Sequence, residues 1–279
     1  MILETSIKQA SKILKKNKIS THYLDAEIIL SDLMGVEREF LTINRDKVIS
    51  NELNHKYLDA IKRRLKGEPV AYITGKKEFW SHNFSLNRST LVPRPETELM
   101  IYKIVKFFKN KKISILDIGT GSGCILLSIL TELSCARGVG IDILPKAIKM
   151  AQVNSKKHGL ANRSSFKVFD FCKFYSHPFD LIVSNPPYIP TKDLKNLSKD
   201  IINYEPLTAL NGGIDGLDLI KKVIYKSHYL LKKNGLLALE IGNQQYKMVT
   251  RLLKRSGFRE IGKEFDYNYN VRCIISTKI

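Results

Sequence analysis

Ile113-Ser114-Ile115-Leu116-Asp117-Ile118-Gly119-Thr120-Gly121-Ser122-Gly123 is a short apolar run that breaks into three glycines at alternate positions. A run of this length ending in glycine reads as a buried strand, here residues 113–119, and the apolar stretch 124–133 behind it reads as a helix. Glycine at such a strand-to-helix turn permits a tight backbone and lets a ligand touch the main chain. The first turn of the helix also offers unpaired N–H groups.

Downstream the pattern keeps alternating. Residues 138–144 form a second strand, followed by a helix starting at Pro145, and residues 165–170 and Phe179–Ser184 form a third and a fourth. A helix over 217–231 leads to a strand over 235–241 and a further helix ending near Ser256. Alternation of this kind predicts an α/β fold, a parallel sheet covered on both faces. Two strand-like segments, 258–267 and 270–277, close the chain. Their link, Asn268-Tyr269-Asn270, is too short for a parallel crossover, so the last strand runs antiparallel. The connection between Ile189 and Gly216 is long for a compact α/β protein, and long loops at the carboxyl end of a strand usually serve a site.

Upstream the character differs. In residues 1–67, Leu3, Ile7, Ala10 and Leu14 recur at helical spacing, as do Ala26, Ile29, Leu30 and Leu33, and again Leu58, Ile61 and Leu65. Gly35 fits a helix end. Such short amphipathic helices are expected to form a small bundle. Residues 68–92, with Tyr72, Ile73, Phe79, Trp80, Phe84 and Leu86 punctuated by Gly75 and Asn87, read as a β-hairpin connector. Residues 93–279 make up the α/β domain. It opens on Pro95, Glu96 and Glu98, which favour the positive end of a helix whose apolar stripe is Ile101, Ile104, Val105 and Phe108.

Two constellations carry chemistry. Gly119, Thr120, Gly121, Ser122 and Gly123 make the first, with Asp142 closing the second strand 19 positions after Gly123. A carboxylate there accepts hydrogen bonds from both ribose hydroxyls of an adenosine moiety. Asp170 and Phe171 close the third strand where an adenine would lie. The second is Asn185-Pro186-Pro187-Tyr188, where the fourth strand opens into the long loop. Proline has no backbone N–H and fixes the local chain direction. The Asn185 side-chain oxygen and the Pro186 carbonyl can therefore accept the two protons of a planar –NH2 group. Pro187 sets the turn, and Tyr188 covers the flat group. NAD would use a similar adenosine pocket. Asn185 and the antiparallel end strand favour S-adenosylmethionine, so the pair reads as a methyl-donor pocket facing an amino-group acceptor pocket.

The composition is compatible with this enzyme class. Of 279 residues, 43% are hydrophobic, so the chain is globular, and no apolar run approaches the ~20 residues a membrane span needs. The N-terminus lacks the apolar block of a secretory signal, which predicts a cytoplasmic protein. Cys124, Cys135, Cys172 and Cys273 are scattered without a C-x-x-C pair, and no metal site is expected. The net charge of +19 would suit a nucleic-acid partner. The lysines, however, are spread over the whole chain without a block, the pattern of solvated faces. Nucleic-acid binding is possible on this reading but not required.

Taken together, the motifs resemble the HemK/PrmC family, the release factor N5-glutamine methyltransferases. The resemblance rests on Gly67–Ile73 read as GEPVAYI with Glu78-Phe79-Trp80, and on 91–98 as LVPRPETE. It extends to Gly119–Gly123, Ala151 with Asn154, Asn185–Ile189, Leu210–Gly213 with Asp215-Gly216-Leu217, and Glu240-Ile241-Gly242. It implies an N-terminal helical bundle for substrate recognition, a hairpin linker and a seven-stranded class I, Rossmann-like methyltransferase sheet. It further implies transfer of a methyl group from S-adenosyl-L-methionine to the glutamine of the Gly-Gly-Gln motif in class I peptide chain release factors. By motif, Gly119 to Gly123, Asp142, Phe171 and Asn185 contact the donor, Asn185 to Tyr188 hold the glutamine, and Arg94, Glu96 and Glu98 brace the rim. Phe171 stands where relatives often carry tryptophan. The alternatives are an amino-methyltransferase acting on DNA or RNA bases, which shares the Asn-Pro-Pro-Tyr motif, and an enzyme for a ribosomal-protein glutamine. Pro95-Glu96-Thr97-Glu98 argues against the latter.

Overall fold

The computed structural model describes residues 1–279, which divide into two compact units. The first comprises Met1–Lys76 together with Ser198–Tyr204, a segment that returns from much later in the chain. It is built of α1 (Leu3–Lys16), α2 (His22–Met34), α3 (Arg38–Ile43), α4 (Asn51–Leu65) and α5 (Val70–Thr74). Leu3, Ile7, Ala10 and Leu14 from α1 pack with Ala26, Ile29 and Leu30 of α2 and Tyr57, Ala60 and Ile61 of α4. The buried Tyr57 hydroxyl donates to the Ala26 carbonyl at 3.0 Å. Gly35 ends α2 at φ 66°, a left-handed conformation that glycine adopts without a Cβ penalty. Arg64 pairs with the buried Asp25 at 2.7 Å, and Arg63 forks onto both oxygens of the buried Glu68 at 2.8 Å. The returning segment is held here in part by the Tyr204 hydroxyl, which donates to the Lys66 carbonyl at 3.2 Å.

Residues 70–74 correct one expectation. The β-formers Tyr72 and Ile73 predict part of a hairpin spanning 68–92, but Val70–Thr74 is a helical turn between Pro69 and the left-handed Gly75. Val70 and Ile73 lie against the bundle core, and that packing overrides β-propensity. The hairpin itself is short: β1 (Lys76–Phe79) and β2 (His82–Ser85), turning at Trp80 and Ser81 with φ 51° and 57°. Phe79 and Phe84 meet edge to face at 6.2 Å between centroids.

The second unit, Lys77–Leu197 with Glu205–Ile279, contains the sheet. A 3-10 turn at Pro95–Thr97 leads into α6 (Glu98–Phe108). Then follow β3 (Ser114–Ile118), α7 (Cys124–Glu132), β4 (Arg137–Asp142), α8 (Pro145–Lys157), β5 (Ser164–Val168) and β6 (Phe179–Ser184). The long loop after β6 contains α9 (Lys199–Tyr204), which is the segment lent to the first unit. The chain finishes with α10 (Asp218–Leu230), β7 (Leu231–Glu240), α11 (Tyr246–Arg255), β8 (Phe258–Phe265) and β9 (Val271–Lys278). The seven strands lie in the order β5-β4-β3-β6-β7-β9-β8, with β9 antiparallel to both its neighbours.

Because strand side chains alternate between faces, each run feeds two cores. Ile115, Leu181, Val183, Ala238 and Ile275 pack on one face with Met100, Ile101 and Ile104 of α6, Leu126 and Ile129 of α7 and Ile148 of α8. Leu116, Ile118, Ile182, Leu237, Leu239 and Ile274 pack on the other with Ile220, Val223 and Ile224 of α10 and Val249 and Leu253 of α11. This is why the strands read as nearly continuous apolar runs. No helix is long and apolar enough to cross a membrane.

Candidate active site

A cleft opens at the carboxyl ends of β3, β4 and β6, where strand order reverses about β3 and ligands of open α/β sheets bind. Gly119, Thr120, Gly121 and Ser122 form one wall, Asp142 to Leu144 and Phe169 and Phe171 another, and Asn185, Pro186 and Pro187 a third. Both sequence constellations thus meet at a single cavity, which Gly123, Asp170 and Tyr188 do not line.

The glycine wall is built by backbone necessity. Gly119, Gly121 and Gly123 have φ of 74°, 56° and 80°, the left-handed region that other residues adopt at a cost. A Cβ at Gly119 or Gly121 would meet nothing within 4 Å, so the missing side chains leave open space over the loop. At Gly123 the restriction is packing, since a Cβ would stand 3.1 Å from that of Ala151. The amides of Gly119 and Thr120 both donate to the Ile141 carbonyl, at 2.9 and 3.0 Å, which fastens the loop to β4. Asp142 completes the loop: its carboxylate accepts from the amides of Gly121 at 3.0 Å and Leu144 at 2.9 Å. Those bonds oppose the effect of burial, which pushes its pKa upward. Behind it, fully buried Asp117 accepts from the Thr120 hydroxyl at 2.7 Å. Burial, aided by the nearby Asp142, pushes its pKa up to about 7. Asn154, on α8 and wholly buried, exchanges both amide bonds with the Ser85 backbone and donates to the Ser122 carbonyl at 2.9 Å. This ties the loop to β2, a role the residue's presence in the motif did not disclose.

The adenine end differs in detail from the sequence reading. β5 stops at Val168, and the chain turns so that Phe169 lines the cleft beside Phe171. Phe169 also stacks edge-on against Phe174 at 5.4 Å. Asp170 is turned to cap the next 3-10 turn, accepting from the Cys172 amide at 2.9 Å. The aromatic run continues through Phe171, Phe174 and Tyr175, so no change of composition marks the end of the strand before Phe169.

At the acceptor wall, Asn185, Pro186 and Pro187 face the cleft but Tyr188 does not. Its ring packs against the α10–α11 core. The hydroxyl donates to Glu240 at 3.3 Å and accepts from Arg272 at 2.9 Å. Burial, with the Glu240 charge, pushes the phenol up to about 12. These bonds anchor Tyr188 below the motif; none of them bears on the flat substrate group that it is expected to cover. Arg94 lines the rim, held by the buried Glu205 at 2.6 Å. Glu98 instead accepts from the Trp80 amide at 2.9 Å and fixes the hairpin turn, and Glu96 is not part of the cleft wall. Thr97, which enters the sequence argument only as part of the 95–98 segment, is buried and lines the cleft. Thr208 and Ala209 of the long loop join it there.

Comparison with known proteins agrees with this architecture. The family profile of the PrmC N-terminal domain matches residues 5–75, and that of a methyltransferase domain matches residues 109–274. A release factor glutamine methyltransferase of Rhodospirillum rubrum is 36% identical over 254 residues, 91% of this chain and 78% of that one. The protein of the same description from Clostridium acetobutylicum is 32% identical over 282 residues, 100% of this chain and 99% of that one. The one from Caulobacter vibrioides is 35% identical over 267 residues, covering 95% and 92%. Among solved structures, a methyltransferase from Pyrococcus furiosus superposes with a TM-score of 0.54 at 17% identity, covering 79% of this chain and 98% of that one. A ribosomal protein L11 methylase from Lactobacillus delbrueckii gives 0.52 at 17% identity, covering 70% and 84%. Both show the sheet architecture alone.

Proposed function

The chain belongs to the release factor glutamine methyltransferase family, and from that premise we propose which residues carry the reaction and which release factors it serves. The reaction transfers a methyl group from S-adenosylmethionine to the side-chain amide nitrogen of a release-factor glutamine. The substrate on our reading is the glutamine of Gly-Gly-Gln in class I release factors. Residues 1–67 serve recognition, 68–92 the link and 93–279 the transfer.

The donor supplies a sulfonium-activated methyl, whose departure leaves a neutral thioether. The residues present suit it: open space over Gly119 and Gly121, a carboxylate at Asp142 for the ribose, and aromatic faces at Phe169 and Phe171 for the base. An amide nitrogen is a poor nucleophile because its lone pair is delocalised. Asn185 Oδ1 and the Pro186 carbonyl accept its two N–H bonds, orient the nitrogen and stabilise the positive charge that develops on it during transfer; the methylated nitrogen, cationic and strongly acidic, then loses one of its two protons to solvent, leaving the neutral N-methyl amide. Holding the nitrogen in line in this way is the kind of alignment worth about 7–11 kcal/mol in intramolecular reactions. Pro187 fixes the turn, and Tyr188 anchors it from below.

One observation carries the assignment: Asn185 and Pro186 line the same cleft as the glycine loop and Asp142. The test is to incubate the protein with a class I release factor and S-adenosylmethionine, digest, and map the product by mass spectrometry. A single methyl group on the Gly-Gly-Gln glutamine is expected. Methylation of DNA, rRNA or another protein residue instead would overturn it.

A further inference from the structure

Beneath the Asn-Pro-Pro-Tyr motif runs a chain of buried and half-buried hydrogen bonds drawn from four separate parts of the sequence. Thr97 is 3% exposed and Glu240, at the end of β7, is 1% exposed. The Thr97 hydroxyl donates to Glu240 Oε2 at 2.6 Å. Asn185 Nδ2 donates to Thr97 Oγ1 at 3.4 Å. On its other oxygen, Glu240 accepts from the Tyr188 hydroxyl at 3.3 Å, and Arg272 stands 3.9 Å from the same oxygen while donating to Tyr188 at 2.9 Å. One carboxylate therefore grips both ends of the motif, Asn185 through Thr97 and Tyr188 directly, with Arg272 balancing its charge.

The direction of these bonds matters as much as their existence. A carboxylate only accepts, and a hydroxyl has one proton to give. Glu240 takes the Thr97 proton, so the Thr97 oxygen can only accept, and what it accepts is an amide N–H. That turns the Asn185 nitrogen inward and leaves its oxygen available to a ligand in the cleft. Reverse the Thr97 hydroxyl and the amide would rotate to present –NH2 to a substrate –NH2, donor against donor.

We propose that Thr97 and Glu240 are positioning residues that set the polarity of the Asn185 amide, so that its oxygen rather than its nitrogen meets the glutamine side chain. The inference rests on the role assigned to Asn185 above. It is specific to hydrogen-bond direction, which distinguishes it from a general packing role.

Four variants test it, each measured for donor Kd by calorimetry, thermal stability, and steady-state methylation of a release factor. Thr97→Val keeps shape and removes the hydroxyl; kcat is expected to fall about ten- to a hundredfold with donor Kd within about twofold, less than the roughly hundred- to thousandfold lost with a group that touches the transition state directly, because Thr97 acts through Asn185. Thr97→Ser restores the hydroxyl and is expected to restore kcat. Glu240→Gln, whose amide can donate to Thr97 as well as accept, is expected to lower kcat like Thr97→Val. Asn185→Ala reports on the underlying reading. If Asn185→Ala stays active, that reading fails. If Asn185→Ala is inactive while Thr97→Val turns over normally, only the polarity relay fails. A Thr97→Ser variant as impaired as Thr97→Val would also overturn it, since packing rather than the hydroxyl would then be responsible.

Discussion

Asp142 shows how much one side chain can be asked to do. Its two oxygens already hold the amides of Gly121 and Leu144, so the carboxylate both shapes the glycine loop and presents its remaining lone pairs to the cleft. Asp142→Ala is expected to weaken donor binding by about 1.5–3 kcal/mol, roughly ten- to a hundredfold in Kd, the usual worth of bonds to a charged group. Isothermal titration would measure it, and unchanged affinity would remove Asp142 from the ribose. Its neighbour Asp117 makes a prediction about pH. Its pKa stands at about 7 in the folded protein against 3.8 for a free aspartate, chiefly through burial. A raised pKa means the folded state holds the proton more tightly. The associated stability is complete below the unfolded value and is lost as pH rises through the folded one. In the ligand-free protein, the stability of Asp117→Asn relative to the parent should therefore rise as pH goes from about 4 to about 7 and level off above, as melting curves across that range would reveal. Parallel pH profiles would show that Asp117 does not titrate in this window. Asn185→Ala, finally, is expected to abolish transfer while donor binding persists.

At the scale of elements, the glycine loop is held from three directions: by Ile141 on β4, by Asp142 beyond it, and by Asn154 reaching from α8 to Ser122 and Ser85. Asn154→Ala would remove a partner from the buried Ser122 carbonyl and from the half-buried Ser85 amide and carbonyl. Unsatisfied buried polar groups cost about 1–3 kcal/mol each, so a loss of about 2–4 kcal/mol in urea denaturation is expected, together with weaker donor binding. The central strands were legible because β3, β4, β6 and β7 carry apolar runs that end at glycine, an Asn-Pro step or a carboxylate; Phe179–Ser184 falls where its sequence places it. Val70–Thr74 was not, because five residues carry too few turns of periodicity to outweigh two β-formers. Likewise β5 ends before Phe169, since an edge strand next to a turn has no apolar boundary to mark its end.

For the whole molecule, the notable feature is the route of the chain after the acceptor motif. It leaves the cleft after Pro187, spends Ser198–Tyr204 within the helical unit, and returns at Glu205, the partner of Arg94 on the cleft rim. Replacing residues 198–204 by a Gly-Ser linker of equal length should leave donor Kd within about twofold but lower release-factor kcat/KM at least about tenfold, as losses of substrate positioning do. Equal kcat/KM would make the segment a passive connection. The sequence by itself determined the α/β class, the antiparallel final strand, the glycine loop with Asp142, and the Asn185–Pro187 wall, because periodicity, glycine placement and proline are local signals. Only the tertiary structure decided that Tyr188 is an anchor, that Phe169 joins the cleft, and that Thr97 and Glu240 lie under Asn185. Those three last residues are brought together by the sheet from positions 97, 185 and 240, and a hydrogen bond across such separations leaves no trace in the spacing of residues along a chain.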